Sequence, residues 1–237
     1  MKGLIYHDDI IQGTDEWLAA RCGKLTASEM KLIITPAKLQ FAENDKARAH
    51  VYELLAQRIS SYVEPHFVSD DMTRGRDDEL EARWLYSQQC APVRECGFVT
   101  NDKWGFTLGY SPDGLVGDDG LIECKSRRQK YQVETFLDWH KAKLPPSEYL
   151  LQCQTGMLVT ERPWCDLVSY SGGFPLCVMR LHEDAKVQDA IVEASGKFEN
   201  ELSRLMTEYR AATKGLKPTK RRLVHEMFTQ EATATWT

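Results

Sequence analysis

Apolar residues recur at helical spacing toward both ends of the chain and in short alternating runs through its middle. Thr14 is placed to cap a short helix with Asp15 and Glu16 in its first turn, and Gly23 to end it. Thr26-Ala27-Ser28-Glu29 has the form of a capping box and opens a second helix through Met30–Ile33. Val51, Leu54, Leu55 and Ile59 predict a long helix over Phe41–Ser60, and Leu80, Trp84 and Leu85 the apolar side of another over Asp77–Gln88. Alternation bounded by turn residues predicts strands at Val93–Thr100, Trp104–Tyr110 and Leu121–Ser126, with Gly117-Asp118-Asp119-Gly120 as the turn before the last. A helix over Tyr131–Lys141 stops at Lys143-Leu144-Pro145-Pro146, and Ser147 is placed to cap the next, which carries Tyr149, Gln152 and Met157. Trp164–Tyr170 and Leu176–Leu181 alternate as strands on either side of Gly172-Gly173, and Asp184–Tyr209 reads as a closing helix. No internal repeat is present. Such a sequence of elements implies an α/β domain with a central mixed sheet flanked by helices.

The chemistry of the chain concentrates between the predicted hairpin strands. Pro112-Asp113 is followed, ten residues after the aspartate, by Glu123-Cys124-Lys125. Side chains alternate along a strand, so Glu123 and Lys125 share one face and Cys124 takes the other. A hairpin returns Glu123 to the neighbourhood of Asp113. Two carboxylates can hold a hard cation through oxygen, and an adjacent lysine can steady a water or a developing charge. That is the minimal equipment for hydrolysing a phosphodiester. The alternative is a solvated hairpin whose charges face water.

Two further segments bear on that choice. In Gly13–Ser28, a helix N-terminus with hydroxyls beside it and Arg21 just upstream can take an anion such as a terminal phosphate. Ordinary capping plus a surface arginine is the competing reading. In Arg74-Gly75-Arg76-Asp77-Asp78-Glu79, Glu79 sits beside the apolar side of its helix and can reach inward to a metal site, or can pair with Arg83 at i, i+4 on a solvated face.

Taken in order, these segments resemble the phage lambda exonuclease group, the YqaJ-type viral recombinase nucleases of the PD-(D/E)xK superfamily. The resemblance rests on Gly13–Ser28, Arg74–Glu79, Ser111–Leu115, Glu123–Lys125 and Tyr149–Gln154, and spans roughly residues 10 to 182. It implies a restriction-endonuclease-like core and a Mg²⁺-dependent enzyme that digests one strand of linear duplex DNA from its 5′ end, leaving a 3′ single-stranded tail for annealing. By resemblance, Asp113, Glu123 and the backbone carbonyl of Cys124 bind one or two Mg²⁺ ions, which Mn²⁺ can replace. Lys125 is the catalytic lysine, Glu79 assists metal or water, and Gln152 lies near the attacking water. Arg21, Ser28 and Ser111 match positions that hold the 5′-phosphate, with Trp17 beside them. Arg74, Arg127 and Arg128 are further candidates for DNA contact, although the basic residues after the lysine, including Lys130, do not align with a single family position. The family further implies a homotrimeric ring and a single-strand annealing protein as partner. A restriction-like or structure-specific endonuclease and a non-catalytic DNA-binding relative are the alternatives.

Composition alters this picture at three points. The 237 residues carry 42% hydrophobic and 27% charged residues, which suits one globular domain over 1–213. A net charge of −5 is unusual for a DNA enzyme, so positive charge must be concentrated near the motifs. The seven scattered cysteines form no C-x-x-C pair, which points to reduced thiols and not to a zinc site. With no signal-peptide pattern at Met1-Lys2-Gly3 a cytoplasmic protein is expected, and the resemblance implies a bacterial or phage-infected cell. No apolar run is long enough to cross a membrane. From Lys214 the chain turns basic, through Lys217, Lys220, Arg221 and Arg222, and then polar to Thr237. This 214–237 segment reads as a flexible tail or as a contact for DNA or a partner.

Overall fold

The computed structural model describes residues 3–35, 38–65 and 70–221. Strand β1 (Leu4–His7) leads through helix α1 (Asp15–Arg21) to β2 (Leu25–Thr26), a single 3-10 turn (Ala27–Glu29) and helix α2 (Met30–Ile33). A ribbon of β3 (Ile34–Thr35) and β4 (Gln40–Phe41) precedes α3 (Asp45–Ser60) and α4 (Asp70–Gln89). Five strands follow: β5 (Val93–Arg94), β6 (Phe98–Asn101), β7 (Leu108–Tyr110), β8 (Gly114–Val116) and β9 (Gly120–Ser126). Helices α5 (Gln129–Ala142) and α6 (Ser147–Thr160), strands β10 (Trp164–Tyr170) and β11 (Cys177–His182) and helix α7 (Ala185–Ala212) complete the order.

The strands form two mixed sheets in place of one. One has the order β1-β6-β7-β2 and the other β11-β10-β9-β8-β5. In the second, β9 runs parallel to β10 and antiparallel to β8. This placement corrects two sequence expectations. The run Val93–Thr100 is divided, with β5 in one sheet and β6 in the other. The break falls where Gly97 crosses against the backbone of Ile10, so closely that a Cβ would lie 1.8 Å from the Ile10 carbonyl oxygen. The partner of β9 in its hairpin is β8, not Trp104–Tyr110. Residues 102–105 form a turn, Leu108–Tyr110 joins the other sheet, and Ser111–Asp113 is the crossing between sheets.

Several helix limits differ for local reasons. Helix α3 begins at Asp45 because the Asn44 side chain accepts from the Ala47 N–H, while Phe41 pairs with Ile34. Val51, Leu54 and Leu55 are buried as expected, whereas Ile59 is partly exposed. Ser147 is the first residue of α6 and not its cap; Pro146 occupies that position without a side-chain bond. Asp184 caps α7 through the Val187 N–H.

Helix α4 is the clearest reversal. Leu80 and Trp84 are 57% and 56% exposed, and the helix instead buries Ala82 and Tyr86 against Ile122, Cys124 and Val168. A buried polar tether fixes that rotation. The Tyr86 hydroxyl donates to Asp166 Oδ2 at 2.6 Å, and Asp166 also accepts two bonds from Arg180, each 2.8 Å long. Tyr86→Phe removes one neutral donor from a buried carboxylate and is expected to lower unfolding free energy by roughly 1.5–3 kcal/mol. A urea titration of the wild type and the variant measures it.

Close packing brings α6 onto β7. A Cβ at Gly156 would lie 2.8 Å from the Tyr110 ring, so glycine is what lets the helix approach. Around this contact Leu25, Met30, Ile33, Phe98, Leu108 and Met157 form the interior. Arg58 ties α3 to α7 through a bidentate pair with Glu199 (2.6 and 2.7 Å), and its Nε donates to the Gly23 carbonyl at 2.7 Å.

Contacts divide the chain into two units, Met1–Ser203 and Arg204–Thr237. In the second, the last turns of α7 end at Ala212, and an exposed irregular segment carries Lys214, Lys217, Lys220 and Arg221. Arg222 and the polar run to Thr237 lie outside the described residues. Among the described residues no helix is long and apolar enough to cross a membrane.

Candidate active site

The end of the β8–β9 ladder creates the central cluster. The ladder stops at Gly114↔Ile122, so the next residues of β9 lack a strand partner on that side. Asp113 supplies one with its side chain: Oδ2 accepts the Cys124 N–H at 2.6 Å. In an extended strand the N–H and C=O of one residue face the same side, so the Cys124 carbonyl is directed toward Asp113 as well. The Cys124 thiol points the other way, into the contact with α4. Glu123 and Lys125 share the remaining face and are paired at 2.7 Å.

Glu123 is 1% exposed and has donors on both oxygens. Oε1 accepts from Lys125 and from Gln152 of α6, and Oε2 accepts from the Tyr110 hydroxyl at 2.8 Å. Tyr110 has no motif signal in the sequence; it reaches Glu123 only because β7 and β9 lie in different sheets over a shared interior. Arg83 donates to the Asp113 carbonyl at 3.3 Å and pairs with Glu95 at 3.0 Å. That pairing overturns the solvated Glu79–Arg83 alternative. Glu79 faces the carboxylates instead.

Electrostatics within the cluster are unbalanced toward negative charge. Burial first, and then the neighbouring Glu123 carboxylate, push the Asp113 carboxyl well above its usual range. Burial also raises Glu79, with Lys125 pulling it back and Glu123 adding to the rise. Burial works against charge on Lys125, but Glu123, Asp113 and Glu79 outweigh it and hold the ammonium protonated. Three acids are thus crowded around one lysine. Asp113 Oδ1 has no hydrogen-bond partner among the described residues, and the Cys124 carbonyl lies beyond the ladder. This donor set is all oxygen and carries surplus negative charge, so it fits a hard divalent cation. Among the described residues no three His, Cys, Asp or Glu side chains are grouped to hold an ion by themselves. A fit therefore draws on two carboxylates, a backbone carbonyl and water, a mixture that suits Mg²⁺.

A second cluster lies two residues away along the chain. Ser111 Oγ accepts from Trp17 Nε1 at 2.8 Å and from Arg21 Nη1 at 3.2 Å. The other end of the same guanidinium donates to Thr26 Oγ1 at 3.0 Å, and Thr26 Oγ1 lies 3.4 Å from Ser28 Oγ. Arg21 also stacks 4.5 Å over the Trp17 ring. Trp17, Arg21 and Ser28, close in sequence, are brought together with the distant Ser111. Thr26 joins them; its capping box was legible, but nothing in the sequence marks it as the partner of Arg21.

Trp17, Glu79 and Asp113 line one open cleft of about 750 Å³, together with Arg76, Leu80 and Ile11. The other candidate arginines gather elsewhere. Arg74, Arg127 and Arg128 line a separate hollow of about 430 Å³ near the start of α5. Arg74 donates to Asp78 and to Ser126, while Arg127 is buried and bound to Glu148 and, at 3.0 Å, to the Tyr149 hydroxyl.

The YqaJ-like viral recombinase domain family matches residues 16–163. Among solved structures, the alkaline exonuclease LHK-Exo from Laribacter hongkongensis is 32% identical, with a TM-score of 0.67 over 84% of this chain and 99% of its own. A structure of LHK-Exo in complex with dAMP gives the same identity, a TM-score of 0.68 and coverage of 84% and 100%. A phage-related exonuclease from Haemophilus somnus 129PT shares the fold at 16% identity, with a TM-score of 0.57 over 78% of this chain and 96% of its own. The α/β architecture is that of the restriction-endonuclease-like core. No curated protein matches the chain.

Proposed function

Because the chain belongs to the YqaJ-like viral recombinase family, we propose that it is a Mg²⁺-dependent exonuclease that removes nucleotides from the 5′ end of linear duplex DNA. The observation that carries this reading is the spacing of the two clusters. Ser111 and Asp113 are two residues apart, which limits their Cα separation to about 7 Å, the scale of a single nucleotide step. A terminal phosphate held by Arg21, Ser28 and Ser111 sets the next phosphodiester beside the acids. The relative LHK-Exo is known in complex with dAMP, so a mononucleotide is a ligand that such a site can take.

In this reading Asp113, Glu123 and the Cys124 carbonyl hold the cation, with Glu79 acting through water. The cation supplies Lewis-acid neutralisation of charge at the scissile phosphate. Lys125 stays protonated and donates toward the oxygens on which charge develops. Its carboxylate neighbours favour the protonated ammonium, which argues against Lys125 as the base. Gln152 and Tyr110 fix the Glu123 carboxylate from both sides, so it presents a defined edge to the cation. Trp17 shields one side of Arg21 from water and strengthens its hold on an anion. Digestion from the 5′ end leaves a 3′ tail, the substrate of a single-strand annealing partner. Family membership extends the reading to a ring of three subunits.

The test compares linear duplex with covalently closed circular DNA, with Mg²⁺ and with a chelator. Linear DNA is expected to release its 5′ label as mononucleotides only with Mg²⁺, and closed circles to survive. Cleavage of closed circles, or digestion in chelator, would overturn the reading.

The 5′-phosphate assignment has its own consequence. Arg21→Ala removes charge-assisted bonds to a terminal phosphate, each worth roughly 1.5–3 kcal/mol. The ratio of kcat/KM on 5′-phosphorylated over 5′-hydroxyl duplex is expected to fall by about tenfold or more.

A further inference from the structure

We propose that Glu29 is a positioning residue for the terminal-phosphate cluster: its carboxylate fixes the Thr26 hydroxyl, and that hydroxyl holds the Arg21 guanidinium in its binding orientation. The inference rests on the reading of Arg21, Ser28 and Ser111 as the 5′-phosphate site.

Thr26 Oγ1 lies 2.7 Å from Glu29 Oε2, 3.0 Å from Arg21 Nη2 and 3.4 Å from Ser28 Oγ, and it also faces the Glu29 backbone N–H in the capping box. A hydroxyl has one hydrogen and two lone pairs, a carboxylate only accepts, and a guanidinium only donates. The Thr26 hydrogen therefore points at the Glu29 carboxylate, and its lone pairs are left to accept from Arg21 and from the Glu29 backbone N–H. Without Glu29 that hydrogen is free to turn toward Ser28 or toward the guanidinium itself, and Arg21 loses a fixed acceptor. The same Glu29 oxygen accepts the Thr26 N–H at 2.9 Å, so hydroxyl and backbone are both held by one atom. Behind the carboxylate lies buried His50 of α3, with Nε2 at 3.7 Å.

An acid this near an anion pocket is not neutral in its effect. By charge alone Glu29 repels a phosphate, and it also offsets the burial that disfavours charge on Arg21. Charge and orientation predict opposite signs for its removal, which makes the role measurable.

The experiment measures kcat/KM on duplexes ending in 5′-phosphate and in 5′-hydroxyl for the wild type, Arg21→Ala, Glu29→Ala, Glu29→Gln, Thr26→Val and Thr26→Ser. Glu29→Ala and Thr26→Val are expected to lower the phosphate preference roughly tenfold. Glu29→Gln, whose amide oxygen still accepts, and Thr26→Ser, which keeps the hydroxyl, are expected to retain most of it. The ratio is taken within one preparation, so an unfolded fraction cancels. If Arg21→Ala loses the preference while Glu29→Ala keeps or increases it, the positioning role is wrong and the pocket stands. If Arg21→Ala keeps the preference, the pocket assignment fails and the role of Glu29 fails with it.

Discussion

Asp113→Ala is expected to lower the single-turnover rate on linear duplex by about a thousandfold or more. The substitution has two consequences in the structure. It removes the carboxylate whose Oδ1 has no partner among the described residues, and with it one of two anionic contributors to the proposed cation site. It also takes the acceptor from the Cys124 N–H, a 2.6 Å bond that positions the Cys124 carbonyl. Electrostatic stabilisation of a phosphoryl transition state by one well-placed group is worth on the order of 10²–10³ in rate, and a lost metal contact adds several kcal/mol. Asp113→Asn separates the two consequences. Its amide oxygen can still accept from Cys124, but its charge is gone, so a loss as large as that of Asp113→Ala assigns the effect to cation binding. Rapid-quench kinetics on a 5′-labelled duplex measure both variants, and thermal unfolding checks their folding.

Lys125→Ala is expected to cost about 10²–10³ in rate for a different reason. Its ammonium sits among Glu123, Asp113 and Glu79, which hold it charged in spite of burial. Removing it leaves the acid cluster more negative, so a divalent cation is expected to bind no more weakly while catalysis falls. That opposition of sign is the useful feature. A lysine that merely neutralised the acids to keep the strand folded would leave the rate intact wherever the protein remained folded and loaded with metal. A lysine that serves the transition state loses rate under the same conditions. Measurement at saturating Mg²⁺ tells the two apart.

What could be read from the sequence was what depends on local chemistry. The two-residue spacing of Glu123 and Lys125 places them on one strand face whatever the fold around them, and the structure has them paired. The Thr26–Glu29 capping box and the α1 cap at Thr14 form within four residues and were legible for the same reason. The hairpin partner of β9 was not. Trp104–Tyr110 has strand composition, yet Ser111–Asp113 carries the chain from one sheet to the other, and a sheet crossing has no signature of its own. Leu80 and Trp84 misled because helical spacing identifies a stripe without saying what it faces; the Tyr86–Asp166 bond sets the rotation of α4 and leaves that stripe outside. Tyr110 on Glu123 and Thr26 on Arg21 are tertiary contacts between residues whose types are common, so only coordinates reveal them. Net charge was equally uninformative about the site. Arg21 lies in a cluster with Trp17 and Ser111, and Arg76 lines the acid cleft, while Arg74, Arg127 and Arg128 gather in another hollow.

The most direct measurement is a Mn²⁺ titration followed by electron paramagnetic resonance on wild type, Asp113→Asn and Lys125→Ala. Saturable binding to the wild type, weakened at least about tenfold in Asp113→Asn and undiminished in Lys125→Ala, is the expected result. Binding to Asp113→Asn that matches the wild type would contradict the claim that Asp113 and Glu123 converge on a catalytic cation.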